Sequence, residues 1–295
     1  MHGENLQVKT RQTRRQFFQL AGAGAAASLV ATGHSFPEVQ AAEQQPEPVR
    51  PISRPFELGL ASYTFMKFTL EQTLAMTARV GLKKICLKSF HLPLEASPEQ
   101  IAEAAAKVKK AGLDLYGGGV ISMRNEKEVD RAFEYAKAAG MKTIIGVPLP
   151  EVLPLVNDKV QQYGIRVAIH NHGPGDKVYP APQNAYEKIK TLDKRIGLCI
   201  DVGHTLRTGV DPARAAHECA DRLLDVHVKD VSAASAAGQT VEVGRGVIDI
   251  PKFLRTLVEI RFSGVLAFEF EKDPKDPLAG LAESVGYVKG VLAVI

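Results

Sequence analysis

Residues 165–204 read IRVAIHNHGPGDKVYPAPQNAYEKIKTLDKRIGLCIDVGH, and this stretch decides the fold. Apolar runs occupy 165–170 and 196–201, and each has the length of a strand buried in a parallel sheet. The segment 182–192 between them has the spacing of a helix. A strand, a crossover helix and a second strand make a βαβ unit, so the stretch predicts two neighbouring parallel strands.

The same alternation of strand and helix continues in both directions from this stretch. Strands are predicted near 56–61, 83–88, 113–120, 142–147, 165–170, 196–201, 222–228 and 264–270. Helices are predicted near 70–80, 98–111, 126–139, 150–163, 182–192, 211–220, 250–259 and 277–293. Eight such units favour an α/β fold with a single (β/α)8 TIM barrel, which typically takes about 250 residues. The first strand is not followed by a GxGxxG motif, which disfavours a dinucleotide-binding sheet.

Residues 1–41 are predicted to be a twin-arginine signal peptide and no part of the barrel. Arg14 and Arg15 precede an apolar stretch rich in Ala and Gly at 17–31, and a small-residue cleavage pattern ends at Ala41. A single membrane anchor is the alternative, but the stretch is short for a span of about 20 apolar residues. We therefore expect a periplasmic or otherwise exported protein that meets a membrane only during export.

The rest of the chain divides into 42–55, rich in Pro, Gln and Glu and predicted to be a flexible lead-in, and a barrel domain at 56–295. The formal net charge of the whole chain is only +4, so it lacks the basic footprint of a nucleic-acid-binding protein. The three cysteines (Cys86, Cys199 and Cys219) are odd in number and scattered, which argues against a disulfide framework. The sequence is compatible with a homo-oligomer as well as with a monomer.

Four polar residues end consecutive predicted strands in the second half of the chain, namely His170, Asp201, His227 and Glu269. The active sites of such barrels lie at the carboxyl ends of the strands, where these groups would meet. Imidazoles and carboxylates together suit one divalent metal ion, such as Mn²⁺, Zn²⁺, Co²⁺ or Mg²⁺. Each residue alone has a plainer interpretation; Asp201, for example, could cap the turn that follows it.

Other polar residues near strand ends are candidates for substrate contact or proton transfer. The candidate substrate-binding residues are Lys88, His91, His204, Arg207 and Arg245. The candidate catalytic residues are Glu269, His172 and Lys229. A lysine beside a metal can stabilise an oxyanion, or act as an acid if its pKa is lowered. The plainer interpretations are that Lys229 pairs with Asp230 or Glu271, and that Arg207 only holds the loop after strand six.

Over roughly residues 56–290 the chain resembles the xylose-isomerase-like TIM-barrel superfamily of sugar phosphate isomerases and epimerases. That superfamily also includes inosose dehydratases and apurinic endonucleases. The resemblance depends on IHNHG at 169–173, IDVGHTLRTG at 200–209, DVHVKD at 225–230, GRGVIDIP at 244–251 and GVLAFEFE at 264–271. In this order the motifs are a specific signal.

The resemblance implies a metal held by a Glu, an Asp, a His and a second Glu, of which Asp201, His227 and Glu269 match the last three. At the first ligand the chain departs, because many relatives read Glu-Asn-His where it has His170-Asn171-His172. Either His170 replaces the carboxylate, or His172 turns inward, or the site is weakened. The family's epimerases use two metal-bound glutamates as opposed acid and base, and only Glu269 of that pair is present.

From these features we expect an exported, metal-dependent isomerase, epimerase or lyase. Its small-molecule substrate would be a sugar, keto-sugar or cyclitol, converted through a metal-stabilised enediolate. Because one glutamate of the epimerases' acid–base pair is missing, lyase or hydratase chemistry is favoured over simple epimerisation. The alternative is a catalytically degenerate barrel that binds a sugar or a metal without turnover. A role in nucleic-acid repair is disfavoured by the low charge and by too few ligands for a three-metal cluster.

Overall fold

Eight parallel strands close into a barrel in the computed structural model, which describes residues 55–295. Each strand pairs with its neighbours in sequence, and the last pairs with the first. The prediction of a single (β/α)8 barrel is therefore confirmed. The predicted signal peptide, and the predicted lead-in up to residue 54, lie outside the described residues. Within 55–295, no helix is both long enough and apolar enough to cross a membrane.

The strands are short and almost wholly buried, as their apolar sequences predict. The barrel strands are β1 (Glu57–Ala61), β2 (Lys84–Leu87), β3 (Asp114–Met123), β4 (Thr143–Pro148), β5 (Arg166–His170), β6 (Ile196–Asp201), β7 (Leu223–Val228) and β8 (Val265–Phe268). The helices are α1 (Leu70–Arg79), α2 (Pro98–Lys110), α3 (Glu126–Ala138), α4 (Leu153–Tyr163), α5 (Pro182–Ile189), α6 (Val202–Arg207), α7 (Pro212–Glu218), α8 (Ile250–Glu259) and α9 (Leu278–Leu292). Most predicted bounds agree with these to within about three residues.

Two elements that the sequence did not predict lie at the carboxyl end of the barrel. Helix α6 follows β6 at once, and a two-stranded antiparallel ladder joins Asp230–Val231 to Thr240–Val241 after β7. Both are too short to give a periodic sequence signal. They shape the loops around the barrel mouth, which is where the predicted site lies.

The strand register sets the depth of each inward-facing side chain. Asp201 of β6 pairs with His227 of β7, and two residues lower Cys199 pairs with Asp225. Because alternate residues of a strand face the same side, these four residues form an upper and a lower layer inside the barrel. His170 of β5 pairs with Cys199 in the lower layer. The imidazole of His170 therefore stands beside both layers.

Most of the apolar core lies between the outer face of the barrel and the helices. A smaller apolar cluster, which includes Tyr116, Ile145 and Ala168, fills the inside of the barrel beneath the mouth. The amino-terminal end of the barrel is fixed by the buried Arg222, whose guanidinium donates hydrogen bonds to carbonyl oxygens after α5 and in β6. The buried polar residues His170, Asp201 and Glu269 lie above this packed interior, at the carboxyl ends of their strands.

Candidate metal centre

Four buried side chains converge at the barrel mouth, one from each of the last four strands or the residue that follows. His170 Nε2 lies 3.5 Å from Asp201 Oδ2 and 3.9 Å from Glu269 Oε2. His227 Nδ1 lies 3.2 Å from the same Glu269 oxygen. All four residues are at most 4% exposed, and their ligand atoms lie within 4.8 Å of one another. The four predicted ligands are thus brought together.

The donor atoms fit a small divalent ion. Tetrahedral coordination with bonds of about 2.0–2.2 Å places neighbouring ligand atoms about 3.3–3.6 Å apart. Three of the separations here run from 3.2 to 3.9 Å, and all lie within 4.8 Å. Both ring nitrogens of His170 and of His227 have no hydrogen-bond partner within residues 55–295, although buried polar atoms are rarely left unsatisfied. These nitrogens, with the carboxylate oxygens that they face, therefore suit a metal with mixed ligands.

A buried lysine stands beside these ligands. The Lys229 Nζ atom lies 3.0 Å from Asp201 Oδ2, 2.9 Å from Glu269 Oε2 and 3.0 Å from Glu271 Oε2. The sequence offered Asp230 or Glu271 as the partner of Lys229, and Glu271 is the one that it contacts. Three carboxylates surround one ammonium group, so the pocket carries a surplus of negative charge. That surplus favours a dication over a neutral ligand.

The electrostatics keep the carboxylates charged and one imidazole neutral. Burial lowers the pKa of His170 to about 3, so its ring is neutral and offers a lone pair. Burial is the largest single effect on Asp201 and Glu269 and would raise their pKa values, but the Lys229 ammonium and the neighbouring histidines together outweigh it and lower both. Burial would lower the pKa of His227, yet the carboxylates of Glu269, Asp225 and Asp201 together raise it overall. Binding of a cation would displace any proton from that ring.

Lys229 itself is held as an ammonium ion. Burial would lower its pKa, but Asp201, Glu269 and Glu271 together raise the pKa well above its ordinary value. The condition under which the lysine could act as an acid, a lowered pKa, is therefore not met. Its arrangement fits the other role considered for it, which is to stabilise negative charge on a substrate oxygen.

The backbone around Asp201 is fixed by a small network. Its Oδ1 atom accepts a 2.7 Å hydrogen bond from the His204 N–H, which begins helix α6, while Oδ2 faces the cluster. Asp201 therefore caps helix α6 with Oδ1, as one interpretation of the sequence had it, and presents Oδ2 to the ligand cluster, as the other had it. Asn171 accepts a hydrogen bond from the Asp201 N–H, and its amide donates to Thr205 Oγ1. The sequence analysis gave no role to Asn171, whose place in the IHNHG motif was the only signal.

His172 lies at the open edge of the centre and not among the ligands. Its ring centroid is 4.7 Å from that of His170, and its side chain is 38% exposed. Its Nδ1 atom lies 3.5 Å from Asp176 Oδ2. Burial and then the nearby His204 lower the pKa of His172, so the ring is neutral. Among the three alternatives for the HNH motif, this geometry favours His170 in the ligand position.

Lys88 and His204 border the same open edge. The Lys88 Nζ atom lies 5.2 Å from the centroid of the Tyr63 ring, and its charge contributes to the lowered pKa of His172. The His204 ring centroid is 6.1 Å from that of His172. Both side chains are half-buried. They are placed where a substrate in the mouth would meet them, and their substrate-binding roles stay predictions.

His91 is a correction to the sequence analysis. Its Nε2 atom lies 3.0 Å from Thr73 Oγ1 and 3.1 Å from the Phe68 carbonyl oxygen. Its Nδ1 atom lies 2.9 Å from Ser62 Oγ, and the residue is only 8% exposed. Both ring nitrogens are thus engaged inside the protein. His91 holds the loop after β1 against α1, and the prediction that it binds substrate is wrong.

Two arginines also have partners away from the cluster. Arg207 Nη2 donates a 2.9 Å hydrogen bond to the Ala236 carbonyl oxygen, so it ties α6 to the loop after β7. That contact supports the plainer interpretation of Arg207. Arg245 forms a two-armed ion pair with Glu283 on helix α9. This pairing holds Arg245 against the outer layer of helices, and its role in substrate binding stays a prediction.

Asp230 shapes the loop that contains the GRGVIDIP motif. Its carboxylate accepts hydrogen bonds from the backbone N–H groups of Val231, Gly244, Gly246 and Ile248. A Cβ atom at Gly246 would lie 2.1 Å from Asp230 Oδ1, so only glycine fits there. These bonds also account for Asp230, which was the wrong partner to consider for Lys229.

Comparisons with known proteins agree with this architecture. A model of the family described as xylose isomerase-like TIM barrel matches residues 86–290. An inosose dehydratase from Geobacillus kaustophilus (strain HTA426) is 30% identical over 129 residues, which are 39% of this chain and 42% of that protein. The chain spans less than half the length of the inosose dehydratases that it matches.

Two solved structures illustrate the likeness of fold. The IOLI protein with a bound zinc atom has a TM-score of 0.68 at 20% identity, covering 81% of this chain and 98% of that one. L-ribulose 3-epimerase has a TM-score of 0.65 at 17% identity, covering 80% and 94% of the two chains. At such identities the likeness shows the fold alone.

Proposed function

Since the chain belongs to the xylose isomerase-like TIM barrel family, we propose that it is a metal-dependent isomerase, epimerase or lyase acting on a sugar, keto-sugar or cyclitol. The observation that supports this most is the cluster of four buried, mutually facing ligands at the barrel mouth. The names of its relatives, inosose dehydratase and L-ribulose 3-epimerase, point to polyhydroxylated substrates. The ion would be Mn²⁺, Zn²⁺, Co²⁺ or Mg²⁺.

His170, Asp201, His227 and Glu269 would hold the ion, which when bound polarises a substrate carbonyl and acidifies the adjacent C–H bond. Glu269 is the base in this scheme, because Lys229 holds its carboxylate in the charged form. The Lys229 ammonium stabilises the negative charge that develops on the substrate oxygen. In this scheme the protein removes a proton from carbon with a buried carboxylate.

His172 would serve the opposite face of the substrate, because the first glutamate of the usual pair is absent. It stands at the open edge with a neutral ring, so it can take up a proton from solvent and then donate that proton to a substrate oxygen. A neutral imidazole and a carboxylate differ in basicity, whereas a pair of glutamates is matched. Unequal partners suit an elimination, in which one group removes a carbon-bound proton and the other protonates a departing hydroxyl.

The second candidate function is a degenerate barrel that binds a sugar or a metal without turnover. The observation that favours it is His170 in the position where many relatives have a carboxylate. Only an enzyme would exchange a carbon-bound proton of its substrate with solvent, whereas both candidates could bind a metal. Proton exchange therefore separates the two functions, and metal content does not.

Exchange of substrate hydrogen with solvent deuterium tests the proposal. The protein, loaded with Mn²⁺, Zn²⁺ or Co²⁺ in turn, is incubated in deuterated water with keto-sugars, keto-glycosides and inososes, and the products are followed by NMR. We expect deuterium at the carbon next to the carbonyl of at least one substrate, and none after chelation. Binding of a sugar and metal without exchange in any member of the panel would favour the degenerate barrel.

Export by the twin-arginine route is proposed on the sequence alone. The double variant Arg14→Lys, Arg15→Lys is expected to leave the uncleaved precursor in the cytoplasm, because the paired arginines are the recognised element. Fractionation and immunoblotting measure this, with Arg11→Lys as the matched control that should export normally. Undiminished export of the double variant would show that another pathway is used.

A further inference from the structure

A second donor set lies directly under the metal centre. One nitrogen each of His170 and His227 and the Cys199 thiol lie within 4.8 Å of one another, and all three residues are buried. Cys199 is two residues before Asp201 on β6, so it faces the same way one layer lower. It also pairs in register with His170. The two imidazoles are therefore shared between an upper and a lower set of ligands.

Each of the two histidines can offer a nitrogen to either set of ligands. In the described part of the chain, neither nitrogen of either ring has a hydrogen-bond partner. The His227 ring faces both layers, since Nδ1 lies 3.2 Å from Glu269 Oε2 above and Nε2 lies 3.9 Å from Asp225 Oδ1 below. An ion in the upper set needs one nitrogen from each ring. The Cys199 thiol donates a 3.4 Å hydrogen bond to Asp225 and lies within 4.8 Å of one nitrogen of each ring.

We propose that the centre offers one cation two alternative seats, and that soft ions take the lower one. The upper seat consists of His170, Asp201, His227 and Glu269, and the lower seat consists of His170, Cys199 and His227. Carboxylate oxygens favour harder ions such as Mn²⁺, whereas thiolate sulfur favours soft ions such as Cd²⁺. The inference rests on the proposed function for the two shared histidines. The inference goes beyond the proposed function because it gives Cys199 a role as a metal ligand.

Binding in the lower seat is a simple ligand exchange. The Cys199 S–H bond breaks, a sulfur–metal bond forms, and one proton is released to solvent, with no change in oxidation state. Because both seats use the same imidazoles, a soft ion below and a hard ion above exclude each other. The buried thiol thus acts as a trap that would inactivate the centre when soft metals are in excess.

Cadmium and manganese titrations test the lower seat without any activity assay. We expect Cd²⁺ to bind one ion per chain with the ultraviolet absorption of a cadmium–thiolate bond, and to displace bound Mn²⁺ as seen by electron paramagnetic resonance. Cys199→Ser and Cys199→Ala should both lose the absorption while still binding Mn²⁺, which also shows that they fold. Cys86→Ser is the matched control, because Cys86 is buried in the same barrel interior and should leave the absorption unchanged.

The outcomes separate this inference from the proposed function. Mn²⁺ binding with no cadmium–thiolate absorption overturns the lower seat and leaves the upper one intact. Cadmium–thiolate absorption that needs Cys199 in a protein that fails to bind Mn²⁺ supports the lower seat and contradicts the upper one. Absorption that persists in Cys199→Ser but disappears in Cys86→Ser or Cys219→Ser overturns the assignment of the thiol.

Discussion

Asp201→Ala and His227→Ala are each expected to abolish stoichiometric binding of a divalent ion such as Mn²⁺. Each variant removes one of four buried ligands, and even residues that only orient a ligand typically change metal affinity by about 10–100-fold. Loss of a ligand should exceed that range. Metal analysis of the dialysed protein and calorimetric titration measure the effect.

Asp201→Asn sharpens this test, because its amide oxygen can still accept the hydrogen bond from the His204 N–H that begins α6. A loss of metal in this variant therefore reports on the charge of the ligand and not on the helix start. Glu271→Gln is the matched control, since Glu271 contacts Lys229 in the same pocket but is no member of the four-ligand cluster. Full metal occupancy in both Asp201→Ala and His227→Ala would show that the ligand assignment is wrong.

The barrel and the meeting of its ligands could be predicted from the sequence because both follow from one rule. His170 and Glu269 are far apart in the chain, yet each lies at the carboxyl end of a strand, and all such ends meet at one mouth. Because alternate residues of a strand share a face, Asp225 and His227 also lie on one side of β7, where they pair with Cys199 and Asp201. No knowledge of loop conformation was needed for these steps.

The side-chain contacts that the sequence did not reveal lie in loops, where the loop conformation decides which way a side chain points. His91 follows β2 and was expected at the mouth, but the loop turns its ring toward Ser62 and Thr73. Arg245 follows the short ladder, and its side chain reaches a helix that is distant in sequence. Which way a side chain leaves a loop depends on partners from other segments, and a single sequence does not reveal them.

The environment of Lys229 shows the same limit at a buried position. Alternate residues share a face, so Lys229 follows His227 on the inner side of β7, but its charge state depends on Asp201, Glu269 and Glu271, which come from other segments. The sequence therefore left open whether Lys229 acts as an acid, stabilises an oxyanion or only pairs with a neighbouring carboxylate. Distances decide between them, because three carboxylates near one ammonium oppose loss of its proton.

Glu269→Gln is expected to lower turnover by at least the 10²–10⁴-fold that a positioned base typically contributes. The amide keeps an oxygen for the metal but cannot accept the proton, so the loss should persist when the metal is saturating. Glu269 follows β8 and His172 follows β5, and His172→Asn should impair turnover as well if the histidine moves the second proton. Deuterium exchange divides the two roles: Glu269→Gln should stop exchange at the substrate carbon, whereas His172→Asn should slow product formation more than exchange. Near-full turnover of Glu269→Gln on a genuine substrate would contradict the mechanism even if the metal centre stands.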